Sequence, residues 1–155
     1  MRNAARALLT LAAALAVIAF AAPLRAAPAD PFAYRLQITP EDGSVPPAVQ
    51  QRYSKAWAAC QQKAETTSNN AQCFVAEFAR QDAALNAAWK AVLARLPAAE
   101  HEPLTVAQRK WVAARDPFCT AQSDQFSGGA IAPVVYVDCR VELTIRRTLW
   151  LEQLH

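Results

Sequence analysis

The chain has 155 residues, four of them cysteine, and a formal net charge of +3, a length that accommodates one domain with a modest core. Three of the 16 basic residues, Arg2, Arg6 and Arg25, fall in the first 26 positions, which leaves 13 basic against 13 acidic side chains in the rest. That balance argues against a nucleic-acid or anionic-lipid partner, either of which would require a basic surplus.

The first 26 residues read as a cleaved export signal. Arg2 and Arg6 give a positive start, and Leu8 to Ala22 is an uncharged apolar run. Pro23 to Ala27 then supplies a break and small residues for cleavage, with Ala26 the preferred site. The run is short against the roughly 20 residues that cross a bilayer. Nothing later is long and apolar enough to span, so no stable membrane insertion is expected after cleavage, and the protein is expected in a periplasm or secreted.

Residues 27–47 form a proline-rich arm, punctuated by Pro28, Pro31, Pro40, Pro46 and Pro47. Tyr34, Leu36 and Ile38 alternate with polar residues, as in a short extended segment, although a disordered tether suits the same composition. The domain proper, residues 48–155, reads as helices. The first runs from about Val49 to Ala64, opened by Pro46-Pro47, with Val49, Tyr53, Ala56, Trp57 and Cys60 on one face. Thr66 to Asn70 is a polar break rich in capping residues. The second helix, about Gln72 to Leu96, carries the stripe Phe74, Phe78, Leu85, Trp89, Val92 or Leu93, and Leu96, and Pro97 ends it. A third runs from about Pro103 to Arg115, where Asp116-Pro117 is expected to stop it. Residues 120–133 read as a loop turned by Gly128-Gly129 and Pro133. The last helix, about Val134 to Gln153, places Tyr136, Cys139, Leu143, Trp150 and Leu154 on one side. Its β-branched start allows a strand at 134–137 instead.

An even cysteine count behind an export signal points to two disulfides. Cys60 and Cys73 lie at facing ends of the first two helices, and Cys119 and Cys139 flank the loop. Of three possible pairings, Cys60–Cys73 and Cys119–Cys139 close short local loops, each worth about 3 kcal/mol in the chain-entropy model. No metal site is expected, because there are no tight cysteine knuckles and the only histidines are His101, read as a solvated loop residue, and His155. Nothing in the sequence requires a cofactor. The glycine-rich phosphate loop and the nucleophile elbow are both absent, so no enzyme activity is expected.

Several polar residues interrupt apolar stripes. Asp82 lies between Phe78 and Leu85, Gln108 between Leu104 and Trp111, and Arg147 between Leu143 and Trp150. Arg115 and Thr144 share these faces. Buried charges need partners, so Asp82 is expected to meet Arg115 or Arg147, with Gln108 and Thr144 completing hydrogen bonds in an internal clamp that sets helix register.

These residues also carry a resemblance. Cys60-Gln-Gln-Lys-Ala leads to Cys73, followed by Asp82-Ala-Ala-Leu85-Asn86-Ala-Ala-Trp89, Leu104, Gln108-Arg-Lys-Trp111-Val, Arg115-Asp116-Pro-Phe-Cys119, Gly128-Gly129, and Cys139 with Thr144, Arg147 and Leu151. The ordered set resembles the lysozyme-inhibitor LprI-like proteins, small exported helical domains of bacteria, over about Val49 to Leu154. Trp89 stands where the family usually shows tyrosine. The resemblance implies an all-α, disulfide-bonded bundle of about four helices, and its named members imply inhibition of lysozyme-type muramidases. On that expectation the loop braced by Cys119 and Cys139 presents Ser123, Asp124, Gln125 and Phe126 to lysozyme. The alternative is a structural or interaction module with another envelope protein as partner.

Overall fold

A computed structural model describes residues 45–154; the expected leader, residues 27–44 of the arm with Tyr34, Leu36 and Ile38, and His155 lie outside them. The described residues form five helices and no strand: α1 (Pro47–Gln50), α2 (Lys55–Gln61), α3 (Thr67–Arg95), α4 (Ala98–Asp124) and α5 (Ala132–Glu152). The chain is all-α, as its periodicity predicts, and both disulfides form: Cys60–Cys73 joins α2 to α3, and Cys119–Cys139 joins α4 to α5.

Helix α5 is the centre. It packs along α3 and along α4, while α2 rests on α3 and α1 on α5. Arg95, in the last turn of α3, donates to the carbonyls of Leu151 and Leu154 at 2.9 and 3.0 Å, so α3 and α5 run in the same direction. The cation thereby sits at the carbonyl end of α5, where a positive charge is favourable. One apolar cluster joins Leu85, Val92 and Leu96 of the α3 side to Leu104 and Trp111 of α4 and Leu143 and Leu151 of α5. A second joins Val49 and Phe74 to Val134, Val137, Val141 and Ile145. The sequence places the apolar side of α5 on Tyr136, Cys139, Leu143, Trp150 and Leu154. In the structure its valine face is buried as well, which explains why β-branched residues crowd a helix: they fill a second interface, and tertiary burial outweighs their weak helix preference.

The expected first helix is instead two short ones, broken at 51–54. Ser54 caps α2 by accepting from the Trp57 N–H at 3.0 Å. Its own N–H and hydroxyl donate to the Glu77 carboxylate at 2.9 and 2.5 Å, and Gln81 donates to the Arg52 carbonyl at 2.7 Å. Side chains of α3 thus capture the backbone that would have continued the helix. Helix α3 starts at Thr67, five residues before the expected Gln72, because Thr66 accepts from the Asn69 N–H at 3.1 Å and caps it there.

Proline does not stop α4. Pro103 and Pro117 both lie inside it, although an interior proline costs about 3 kcal/mol. The neighbours of Pro117 are fixed by other partners: Arg115 donates to Asp116 at 2.9 Å, Thr120 donates back to the Asp116 carbonyl at 3.0 Å, and Cys119 is fully buried in its disulfide. Local preference at the proline is overridden by these contacts. In consequence α4 extends to Asp124, the connection shrinks to residues 125–131, and α5 begins at Ala132 with no strand at 134–137. His101 is helical rather than in a loop, and its Nε2 sits 3.0 Å from the Leu96 carbonyl.

Candidate functional site

Three polar or exposed regions stand out from this scaffold. The first is a ladder in which cations and rings alternate between α3, α4 and α5. Arg140 lies 5.4 Å from the Tyr136 ring centre and 3.9 Å from Phe78; Arg115 lies 4.8 Å from Phe78 and 5.5 Å from Trp111; Arg147 lies 5.6 Å from Trp111 and 3.9 Å from Trp150. Stacked, desolvated pairs of this kind contribute up to about 2 kcal/mol each.

The polar residues singled out in the sequence sit along this ladder. Arg115 reaches Asp82 at 3.5 Å and Thr144 at 3.4 Å, and Arg147 donates to Gln108 at 2.7 Å. Asp82 meets Arg115, not Arg147, and its side chain is 42% exposed. The tighter acid is Asp116, which accepts from Arg115 and Arg140 at 2.9 and 3.1 Å. Asp116 and Arg140 are absent from the residues singled out in the sequence: Asp116 reads there as a helix stop, and Arg140, although it lies four residues after Tyr136 and three before Leu143 as Arg147 does after Leu143 and before Trp150, is not picked out.

The second region docks the N-terminal helices and was also missed. Glu77 is completely buried and accepts from Ser54 twice and from Gln81 at 2.7 Å. Tyr53 donates to Asp138 at 3.0 Å. Burial, then the Asp138 charge, pushes the Tyr53 phenol well above its ordinary value. Burial likewise raises the Asp138 carboxyl and the Glu142 charge adds to this, while the hydrogen bond from Tyr53 opposes it. The only signal for Glu77 in the sequence was its place three residues after Phe74, on a stripe where an acid is out of pattern.

Both Tyr53 and Asp138 hold protons more tightly folded than unfolded. Their contribution is therefore complete below the unfolded values, about 10 for tyrosine and about 4 for aspartate, and fades as pH rises past them. Docking of α1 and α2 is expected to be tightest in mild acid and to loosen in alkali. Tyr53→Phe should cost about 1–2 kcal/mol. In an alkaline absorbance titration the parent should show a phenol that ionises only as the protein unfolds. The variant should lack it, and superimposable titrations would contradict the assignment.

The third region is the tip between α4 and α5. Ser123 and Asp124 belong to the last turn of α4, and Gln125 and Phe126 begin the connection. Ser123 donates to the Ala132 carbonyl at 2.9 Å, tying the two ends together. Successive turns follow: Phe126 N–H to Ser123, Ser127 to Asp124, Gly129 to Phe126 and Ala132 to Gly129, at 2.9–3.2 Å. Gly128 has φ +82°, where other residues are strained, and a Cβ at Gly129 would sit 3.2 Å from the Phe126 carbonyl, a tight fit, so this path favours glycine most clearly at the first position. Phe126 and Ile131 remain 46% and 43% exposed.

None of the three regions is a metal centre: among the described residues no group of three or more His, Cys, Asp or Glu side chains could hold an ion. Nor is any helix among them long and apolar enough to cross a membrane.

Comparison with known proteins agrees with this architecture. The family model described as "Lysozyme inhibitor LprI" matches residues 58–151, from α2 through both disulfides to the last turn of α5. An uncharacterized protein of Rhizobium meliloti (strain 1021) is 30% identical over 95 residues, which span 53% of this chain and 68% of that relative. No solved structure matches. The matched span contains all four paired cysteines and the whole cation–ring ladder, and on that ground the chain belongs to the LprI lysozyme-inhibitor family.

Proposed function

We propose that the protein is an exported, non-catalytic envelope protein that inhibits lysozyme-type muramidases by binding them. The observation that carries this reading is the family match over residues 58–151. Supporting it, the leader has the charge and apolar run of an export signal, and two disulfides suit an oxidising compartment. The polar ladder then has an architectural role: Arg115, Arg140 and Arg147 fix the register of three helices by stacking on rings and pairing with polar groups of α3 and α4.

The test is a turnover assay on cell-wall substrate, using the oxidised exported protein against lysozymes of several types. Micromolar protein is expected to suppress at least one of them, with loss of the effect after full reduction. Absence of inhibition across all types would overturn the reading in favour of an interaction module for another envelope protein.

A further inference from the structure

We infer that the contact surface for the muramidase is the tip Gln125–Ile131, with Phe126 and Ile131 as paired anchors that enter the substrate cleft; this rests on the inhibitory function proposed above. Five large apolar side chains are exposed among the described residues: Val75, Val106, Val112, Phe126 and Ile131. The three valines stand singly on the sides of α3 and α4, as scattered surface apolar residues commonly do. Phe126 and Ile131 instead share one seven-residue turn, on either side of Gly128-Gly129.

That turn is pre-organised. The Cys119–Cys139 bridge holds its two helices with Cα atoms 5.6 Å apart, and Ser123 pins Ala132 across its base. An anchor on such a support loses little freedom when it binds, which is where much of the cost of association lies. Ser123 is consequently a brace and not a contact residue, and Ile131, outside the sequence-derived set, takes its place.

Charge selects the occupant. Muramidases cleave a glycosidic bond between two carboxyl groups set in a cleft. Residues 125–131 carry no charge, so they enter such a cleft without meeting its acids as like charges. The N–H groups of Gly128, Ala130 and Ile131 make no backbone hydrogen bond among the described residues, and they are donors suited to carboxylate or sugar-binding oxygens. A convex, uncharged tip with spare donors and two apolar anchors is complementary to a concave, acidic site.

The experiment uses the full oxidised chain and a lysozyme that the parent inhibits. Phe126→Ser combined with Ile131→Ser should raise the half-inhibitory concentration about thirtyfold or more, the scale of losing hot-spot anchors. Val112→Ser should leave it within about twofold, as expected of a surface change remote from the contact. Far-ultraviolet dichroism and thiol counting should show all variants folded and oxidised. A chitooligosaccharide that fills the cleft should compete with the parent for the enzyme. Undiminished inhibition by the double variant, equal loss in Val112→Ser, or binding indifferent to the oligosaccharide would each overturn the tip assignment while leaving inhibition itself intact. Concentration-dependent dimers of the parent that the double variant abolishes, with inhibition unchanged, would assign the tip to self-association instead. A parent that inhibits no lysozyme would remove the underlying function and the inference with it.

Discussion

Glu77→Ala is expected to lower the melting temperature by on the order of 10 °C, through a loss of about 3 kcal/mol. The carboxylate has no exposed surface, and three donors converge on it: the Ser54 N–H, the Ser54 hydroxyl and the Gln81 amide. Hydrogen bonds to a charged acceptor are worth about 1.5–3 kcal/mol, and buried donors left without one add a desolvation cost. Arg80, 3.5 Å away and 40% exposed, supplies the compensating charge but remains solvated when Glu77 is removed. The loss should be local first. Cys60–Cys73 still tethers α2 to α3, so residues 45–62 should exchange their amide hydrogens faster while the α4–α5 core stays protected. Glu77→Gln keeps an acceptor for Ser54 at nearly the same volume and should lose roughly half as much. A Glu77→Ala protein that melts with the parent, or that loosens α5 before α1 and α2, would show that Glu77 does not hold this docking in place.

Glu77 also illustrates what was legible in the sequence. Helical periodicity, cap residues and cysteine spacing are local signals, and they located four of the helical segments and both disulfides. Three other features depended on contacts made far along the chain. The break at 51–54 exists because Glu77 and Gln81 reach it from α3. The passage of α4 through Pro117 depends on Asp116 meeting Arg140, 24 residues away. The second buried face of α5 exists because α1 and the start of α3 cover it. Periodicity reports one apolar stripe per helix; it does not report that a central helix will be covered twice. The ladder lies between these cases. Asp82, Gln108, Arg115, Thr144 and Arg147 were conspicuous as polar residues on apolar stripes, and the structure brings each to the α3–α4–α5 interface. Their pairing was not readable, since spacing along separate helices does not determine which guanidinium faces which acid. The tip was foreshadowed by Gly128-Gly129, but Ile131 was hidden inside a loop drawn five residues too wide at its start.

Arg147→Ala should be the costliest single change in the ladder, at about 3–5 kcal/mol. Arg147 is 1% exposed, although it carries a full charge. It stacks 3.9 Å from Trp150 and donates to Gln108 at 2.7 Å. Truncation removes the stack, leaves the Gln108 oxygen without this donor and opens a cavity among large side chains, and these terms all have the same sign. Arg147→Met separates them. It preserves most of the volume and discards the charge, and replacing a buried ionic group by a hydrophobe of similar size is often close to neutral. Stability near the parent in Arg147→Met together with Gln108→Leu would show that packing, not charge, holds the position. Asp82→Ala provides the contrast. Asp82 is 42% exposed and lies 3.5 Å from Arg115, which keeps Asp116 at 2.9 Å after the change. Its loss should cost about 1 kcal/mol or less, the range of solvent-screened pairs. Chemical denaturation of the four proteins gives the order directly. If Asp82→Ala proves more damaging than Arg147→Ala, burial does not rank these contacts, and the register of the three helices must be set by the exposed acid rather than by the enclosed guanidinium.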